Sequence, residues 1–223
     1  MDAAEIAVKQ TAEIAVNKTQ REGGAFAPPA CMDYSSLSDS QLIVLVSNQD
    51  NKAFKELFDR YSRMVFNLSY SYVTEFHAAE DISQEVFLTI FTKGAEFKFK
   101  SSFSTWIYRI TVNASISYLR KHKKDARLTN LEDAADVEDE GSDKQKERDS
   151  KREALALKAL DMLPENQKTA FILSQKESLK YKEIASIMNV SEKAVESMIY
   201  RARENIKNNL KKLQSKKISK ERE

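Results

Sequence analysis

The stretch YKEIASIMNVSEKAVESMIYRA, residues 181–202, decides the fold of the C-terminal part of the chain. It predicts a helix over 182–188, a tight turn over 189–191 and a second helix after that turn. Asn189 stands at the turn position that requires a positive φ, which asparagine tolerates better than most residues, and Ser191 is a good N-cap. The stretch therefore predicts a helix-turn-helix with these side chains facing inward: Ile184, Ala185, Met188, Val190, Val195, Met198, Ile199, Ala202 and Ile206.

The second predicted helix carries polar and basic side chains on its outward face. A recognition helix lies in the major groove of DNA with its N-terminal half against the base edges, while basic residues further along reach phosphates. A helical hairpin that binds no nucleic acid would share the apolar pattern. The residues of the turn and the basic side chains that follow it favour DNA binding. The candidate DNA-contacting residues are Ser191, Lys193, Glu196, Ser197, Tyr200, Arg201 and Arg203.

Composition extends the helical prediction to the rest of the chain. The 223 residues include only 4 glycines and 3 prolines, and 31% of them are charged. Barrels and turn-rich sandwiches need more turn residues than this chain has. The fold class is therefore predicted as all-α, with two small helical domains joined by an acidic flexible linker and a helix-turn-helix in the C-terminal domain.

The same composition argues against several kinds of chemistry. One cysteine, Cys31, forms no intramolecular disulfide, and with two histidines it makes no His/Cys metal cage, so neither a metal nor a cofactor is expected. Most acids fall in the linker or on solvated helix faces, without a glycine-rich phosphate loop or a nucleophile triad, so we predict that the protein is not an enzyme. The acidic start and the lack of a long apolar run predict a cytoplasmic protein without membrane insertion.

The net charge of +2 hides a partition of charge along the chain. Residues 74–92 hold four acids and no lysine or arginine, residues 98–127 hold eight bases and one acid, and residues 128–143 hold seven acids and no base. From residue 196 to the end, nine bases face four acids. Different segments are therefore expected to meet partners of different charge.

Apolar periodicity and charge together divide the chain into five segments. Residues 1–36 are predicted to be a disordered extension because glycine and proline pairs break any helix there. The acidic stretch has too few large apolar groups to offset its ordering entropy and is predicted to be a linker. The predicted order is an extension over 1–36, a helical domain over 37–127, a linker over 128–152, the helix-turn-helix domain over 153–213 and a basic tail over 214–223.

Four helices are predicted in the first domain. Asp39 is expected to cap a short helix, and Asn51 to precede a longer one. The apolar face of the longer helix is Phe54, Leu57, Phe58, Tyr61, Val65, Leu68 and Tyr72, at a period of 3.6 residues. A third helix over 77–92 is predicted to bury Ala79, Ile82, Val86, Phe87 and Ile90. After a basic, aromatic loop over 97–103, a fourth helix over about 104–124 is predicted to bury Trp106, Ile110 and Ala114.

Four segments, taken in order, resemble the sigma-70 family of bacterial RNA polymerase sigma factors, specifically its small extracytoplasmic-function (ECF) group. Residues 53–73 look like the first helix of the family's region two, and AAEDISQEVF, residues 78–87, resembles its core-polymerase-binding helix. FSTWIYRITVN, residues 103–113, continuing to LRK at 119–121, is similar to its promoter-melting, minus-ten-reading helix. Leu163-Pro164, YKEIA, Val195 and the RAR triplet at 201–203 look like region four, which reads the minus-thirty-five element.

The resemblance implies a function and the residues that perform it. The protein would bind core RNA polymerase, recognise the minus-thirty-five and minus-ten promoter elements and help to melt DNA, so that transcription of a specific gene set starts. Asp81, Gln84 and Glu85 would meet the positively charged clamp helices of the largest polymerase subunit, and region four would meet the flap. The minus-ten contacts would be Lys98, Lys100, Ser101, Trp106, Arg109, Asn113, Arg120 and Lys121. The candidate residues of the second helix-turn-helix helix would read the minus-thirty-five element, and an anti-sigma protein would be a further partner.

Three alternatives stay open in the sequence. Trp106 would either stack on a displaced base or serve only as core. Glu196, where the family commonly has a base soon after a Gly-Thr-like pair, would either accept a hydrogen bond from cytosine N4 or only tune the helix. A regulator that binds duplex DNA and never joins polymerase would explain the sequence of residues 181–203. It would leave the sequences of residues 81–87 and 106–113 unexplained.

Overall fold

The computed structural model describes residues 33–128, 144–175 and 177–220. Within these ranges the regular structure is entirely helical, and the chain divides into two compact units after Leu119. Short 3-10 turns lie at Tyr34–Ser36 and Gly94–Glu96. The α-helices are α1 (Asp39–Ser47), α2 (Asn51–Val73), α3 (Phe76–Lys93), α4 (Phe103–Leu128), α5 (Lys144–Asp161), α6 (Glu165–Gln175), α7 (Tyr181–Met188) and α8 (Glu192–Lys220).

The first unit is built around the packing of α1, α2 and α3. The inward face predicted for α3 is confirmed, since all five of its residues are buried. The face predicted for α2 is confirmed in its centre, but Phe58 is 44% exposed. Phe58 follows Leu57 directly and so lies about 100° around the helix from it, at the edge of the apolar stripe. The buried core of this unit includes Leu42, Ile43, Val46, Leu57, Val65, Ile82, Val86, Ile90, Phe103 and Ile107.

The cap of α1 differs from the sequence prediction. Ser38, not Asp39, is the N-cap, and its side chain and that of Gln41 satisfy each other's backbone N–H groups in a capping box. Asp39 is the first helical residue, and its carboxylate instead accepts hydrogen bonds from Tyr61 and Arg60 of α2. The carboxylate therefore joins two helices rather than ending one.

The start of α2 and the chain before α1 also differ in detail. Asp50 is the N-cap of α2 and accepts hydrogen bonds from two backbone N–H groups of its first turn, whereas Asn51 is already helical. The Tyr34 hydroxyl donates to Asp50 Oδ2 at 2.9 Å. Residues 34–36 of the predicted extension thus belong to the first unit, while residues 1–32 lie outside the described residues.

The second unit contains the predicted helix-turn-helix packed on α5 and α6. Ile187 is buried although the sequence prediction did not place it inward. Four residues that the prediction did place inward are only partly buried: Met188, Val190, Met198 and Ile206. Ile187 lies three residues after Ile184 and therefore on the same face of α7. The buried side chains are Ala159, Leu163, Ala170, Ile172, Leu173, Ile184, Ala185, Ile187, Val195, Ile199 and Ala202.

Three predicted segment boundaries fall inside helices, the first of them one residue before the end of α4 at Leu128. Helix α5 begins at Lys144, so residues 144–152 of the predicted linker are helical, and α8 runs through Lys220 into the predicted tail. The acidic residues 129–143 lie outside the described residues. The five-segment division as a whole stays a prediction. Among the helices of the described ranges, none has the length and apolarity to cross a membrane.

Candidate nucleic-acid and protein interfaces

The acidic side chains of α3 share its outward face. Asp81, Gln84 and Glu85 are exposed, at spacings of three and four residues that bring them to one side of the helix. Ile82, which lies between them in sequence, and Val86, which follows Glu85, are fully buried. The burial of the opposite side therefore holds the acidic face towards solvent, and we call Asp81, Gln84, Glu85 and Leu88 the α3 face.

Leu88 was not among the predicted site residues, and it lies on the same face. It follows Asp81, Gln84 and Glu85 by seven, four and three residues, and 62% of it is exposed. A signal for it existed in the sequence, because Leu88 falls outside the apolar stripe that the third helix buries. Single exposed apolar residues are ordinary on protein surfaces, so Leu88 is added to the α3 face because it shares that side of the helix with the carboxylates.

The carboxylates of the α3 face carry charge that the described residues of the first unit do not neutralise. In the part of the unit that the structure describes, neither Asp81 nor Glu85 has an ion pair. Tyr118 of α4 lies near enough to respond to this charge. Burial raises the pKa of the Tyr118 hydroxyl above its ordinary value, and the negative charges of Glu75 and Asp81 add to the increase. The negative field at this face is therefore available to a basic partner.

The loop before α4 separates its aromatic residues from its basic ones. Phe97 and Phe103 are 7% and 2% exposed, with ring centroids 6.1 Å apart, so both ends of the loop lie in the core. Phe99 is half-buried and holds a positive φ of 53°, a conformation that bulky residues rarely adopt. Lys98 and Lys100 are exposed as a result. The loop thus presents two cations on a segment fixed by buried rings.

Ser102 connects this loop to α4. Its hydroxyl accepts a hydrogen bond from the Thr105 backbone N–H at 3.2 Å and lies 2.8 Å from the Thr105 Oγ1. This is the geometry of an N-cap, so the helix begins at a fixed place relative to the basic loop. Ser101, the predicted site residue beside it, is half-buried.

Trp106 packs against the same aromatic core. Its ring centroid is 5.1 Å from that of Phe97 and 5.7 Å from that of Phe103, and the residue is partly buried. This packing fixes the orientation of the indole whether or not a base stacks on it. The two interpretations of Trp106 both stay open.

The remaining minus-ten candidates follow one side of α4. The spacings from Trp106 to Arg109, Asn113 and Arg120 are three, seven and fourteen residues, which bring all four to one helix face. Asn113, Arg120 and Lys121 are exposed, and Arg109 is half-buried. The loop lysines and this face of α4 therefore follow one another along the chain, and we call residues 98–121 the basic segment.

The turn between α7 and α8 has the predicted local geometry. Asn189 ends α7 with φ 55° and ψ 48°, in the left-handed region. Ser191 accepts a hydrogen bond from the Ala194 backbone N–H at 3.2 Å and so caps α8. Behind the turn, Val195 and Ile199 of α8 are buried. The orientation of α8 relative to α7 is thus set by local chemistry that the sequence already contained.

Five of the predicted minus-thirty-five residues line one open concavity of about 400 Å³ on the outer side of the helix-turn-helix. We call it the recognition concavity. Tyr200 and Lys193 are exposed, and Tyr181, at the first position of α7, is also part of the lining. Its lining residues are Tyr181, Lys193, Glu196, Ser197, Ile199, Tyr200 and Arg203.

Comparison with known proteins finds two family models in the order of the two units. The model of sigma-70 region 2 matches residues 57–125, and that of sigma-70 region 4 matches residues 154–206. The ECF RNA polymerase sigma-E factor of Haemophilus influenzae is 33% identical over 185 residues, which cover 79% of this chain and 97% of that protein. The RNA polymerase sigma-H factor of Pseudomonas aeruginosa is 32% identical, over 75% of this chain and 91% of that protein.

The chain belongs to the ECF group of sigma-70 family sigma factors. It is therefore a transcription initiation factor that acts with RNA polymerase, and its regions 2 and 4 bind the minus-ten and minus-thirty-five promoter elements. The α3 face and the basic segment lie within region 2, and the recognition concavity lies within region 4. The predicted family and the all-α fold are both confirmed.

Solved structures support the fold of this sigma factor. CnrH, solved in complex with the cytosolic domain of CnrY, superposes with a TM-score of 0.55 at 21% identity, over 78% of this chain and 97% of that one. The sigma factor RpoE of Bartonella quintana, solved in complex with the anti-sigma factor NepR, gives a TM-score of 0.52 at 24% identity, over 72% and 98% of the two chains.

Not every predicted region 4 residue of the sigma factor lines the recognition concavity. Ser191 is used as the cap of α8, and Arg201 is exposed but lies outside the lining. Tyr181 and Ile199 line the concavity although the predicted site did not include them. Tyr181 is 38% exposed. The signal in the sequence was an aromatic residue directly before the predicted helix over 182–188.

Proposed function

We propose that this sigma factor binds core RNA polymerase through the α3 face. Asp81, Gln84 and Glu85 would contact the basic clamp helices of the largest polymerase subunit, and that contact would also cover Leu88 at the C-terminal end of the face. The exposed, uncompensated carboxylates support this assignment, because charge complementarity speeds encounter and fixes orientation. The flap of polymerase is the proposed partner of region 4.

The basic segment is the proposed minus-ten and melting surface. Lys98, Lys100, Arg120 and Lys121 would hold phosphates of the displaced strand, while Ser101, Arg109 and Asn113 would lie along its path. Trp106 would stack on a base at the edge of the aromatic core. A basic channel with aromatic rings favours single strands, by about 1–3 kcal/mol per stacked base. Binding of this kind would stabilise the opened state of the promoter relative to the duplex.

The minus-thirty-five element is the proposed ligand of α8. Lys193, Glu196, Ser197 and Tyr200 lie in the N-terminal third of the helix, where a recognition helix contacts base edges. Arg201 and Arg203 follow and would contact phosphates. Ser191 would position the first turn as its cap, and the backbone N–H groups of that turn suit a phosphate.

The sigma factor itself is proposed to have no catalytic activity and to act in the bacterial cytoplasm. Opening a promoter breaks no covalent bond, and polymerase performs the chemistry. An anti-sigma protein that covers the polymerase-binding surfaces is the proposed regulator. The complexes of CnrH with CnrY and of RpoE with NepR support such a partner for this chain.

The observation that carries the proposal is the α3 face, which a regulator acting only on duplex DNA would not need. Run-off transcription with core RNA polymerase on genomic fragments tests it directly. The wild-type chain should direct specific starts, and the charge reversals Asp81→Lys and Glu85→Lys should weaken its binding to core. Asp59→Lys is the matched control, because Asp59 is an exposed acid of α2 that, among the described residues, forms an ion pair with Lys55 alone. It should leave core binding within about twofold of wild type.

Two results would contradict the proposal. Unchanged core affinity in both reversals would remove the α3 face from the polymerase contact. Tight, specific binding to a duplex operator without core would instead favour the regulator.

For the anti-sigma partner, a pull-down from native cells should recover polymerase and one further stoichiometric protein, and recovery of polymerase alone would count against that partner.

A further inference from the structure

Glu196 is an acidic side chain on the surface that is proposed to meet DNA. It lies in the second turn of α8, is exposed, and lines the recognition concavity beside Lys193, Ser197 and Tyr200. Within residues 144–175 and 177–220 of the described chain, its carboxylate has no ion pair and no hydrogen bond. The carboxylate is therefore free to accept hydrogen bonds from a ligand.

A carboxylate in this position opposes DNA binding unless a nucleobase donates a hydrogen bond to it. The phosphates repel it, and most groups on the major-groove base edges are acceptors, which repel it as well. The donors there are the amino groups at N4 of cytosine and N6 of adenine. Adenine carries the acceptor N7 beside its N6, whereas cytosine offers N4 without an acceptor of its own on that edge. Cytosine is therefore the base that fits a carboxylate best.

We propose that Glu196 is a specificity-determining residue that accepts a hydrogen bond from the N4 amino group of a cytosine in the minus-thirty-five element. The inference rests on the proposed function, because it requires α8 to lie in the major groove of that element. Lys193, three residues before Glu196, and Arg203, seven residues after it, are exposed and line the same concavity. The positive charges of these two residues keep the overall approach to DNA favourable, so the carboxylate selects sequence without preventing binding.

The test uses the full chain with core polymerase on a promoter recovered by genomic run-off. Each base pair of the minus-thirty-five element is replaced in turn, and initiation is measured with wild type, Glu196→Ala and Glu196→Gln. Wild type should prefer cytosine at one position by about fivefold or more. The alanine variant should lose that preference, and the glutamine variant should shift it towards adenine, because an amide pairs with both N6 and N7. A new preference for adenine does not arise from misfolding.

The matched control is Glu204→Gln, since Glu204 is an exposed acid of α8 outside the recognition concavity. It should keep every wild-type preference. The inference is overturned if the Glu196 variants keep the wild-type preference at all positions, or if initiation changes uniformly across the sequences. It is also overturned if the affected base pair contains no cytosine. Failure of wild type to start at any specific promoter would instead overturn the proposed function, and this inference with it.

Discussion

Asn189 donates its backbone N–H to the carbonyl of Ala185 while it holds φ 55° and ψ 48°. The next residue, Val190, donates to the same carbonyl at 3.0 Å. Residues with a Cβ pay about 1–2 kcal/mol in the left-handed region, asparagine less than most, and glycine nothing. We therefore expect Asn189→Ala to lower the free energy of unfolding of the second unit by about 1 kcal/mol, as measured by urea denaturation.

Asn189→Gly is the control for that substitution. Because glycine adopts a positive φ without strain, its effect should stay within about 0.5 kcal/mol of wild type. Hydrogen exchange of the α7 and α8 amides should place the loss caused by alanine at the turn. Equal losses for alanine and glycine would show that the asparagine side chain, rather than the backbone conformation, stabilises the turn.

Local chemistry explains why this turn was predictable. The need for a positive φ, the cap at Ser191 and the apolar spacing all lie within about twenty residues of one another. The inner face of α3 was predictable for the same reason, since one periodic pattern specifies it. These elements need no information from distant parts of the chain.

The choice between Ser38 and Asp39 as the cap of α1 shows where sequence reasoning stops. Both residue types cap helices well. The structure uses Ser38 because Asp39 accepts hydrogen bonds from Arg60 and Tyr61, which follow it by 21 and 22 residues. Likewise, Phe97 and Phe103 were assigned to a loop, and only their contacts with Trp106 and each other reveal that they belong to the core. Long-range contacts decide such cases, and a local pattern does not contain them.

The hydrogen bond from the Tyr61 hydroxyl to Asp39 Oδ2, 2.5 Å long, should contribute to the stability of the first unit. Tyr61→Phe removes the donor and leaves Arg60 as the partner of the carboxylate. We expect a loss of about 1–2 kcal/mol in the free energy of unfolding near neutral pH. The fluorescence of Trp106, the chain's single tryptophan, reports on this unit and makes the measurement selective. A loss below about 0.3 kcal/mol would contradict the prediction.

This hydrogen bond should also make stability depend on pH in the alkaline range. Burial raises the pKa of Tyr61 well above its ordinary value, and the hydrogen bond and charge of Asp39 raise it further. Above about pH 10 the unfolded chain loses this proton while the folded chain keeps it, so stability falls as pH rises. The difference in unfolding free energy between wild type and Tyr61→Phe should therefore shrink above about pH 10. A difference that stays constant through that range would argue against the raised pKa.

The exposed loop lysines should contribute to the salt dependence of promoter binding. Each single-strand phosphate contact contributes about 0.7 to the slope of log K against log salt. Lys98→Ala with Lys100→Ala should therefore reduce the slope by about 1 to 1.5 for holoenzyme on an open promoter, as measured by fluorescence anisotropy over a salt series. Lys52→Ala, an exposed lysine of α2, is the control and should leave the slope unchanged. An unaltered slope in the double variant would remove the loop from the phosphate path.

Substitutions at Trp106 should separate its two interpretations. Phenylalanine keeps an aromatic face, whereas leucine fills part of the same space against Phe97 and Phe103 without stacking on a base. If Trp106 serves only as core, both variants should lose promoter opening in proportion to their loss of folded protein. If Trp106 stacks on a base, folded Trp106→Leu should open the promoter at least about fivefold less than folded Trp106→Phe. The reason is that one stacked base contributes about 1–3 kcal/mol. Permanganate reactivity of thymines in the minus-ten element measures the opening, and circular dichroism of the same samples measures the fraction folded. Equal opening by the two folded variants would assign Trp106 to the core alone.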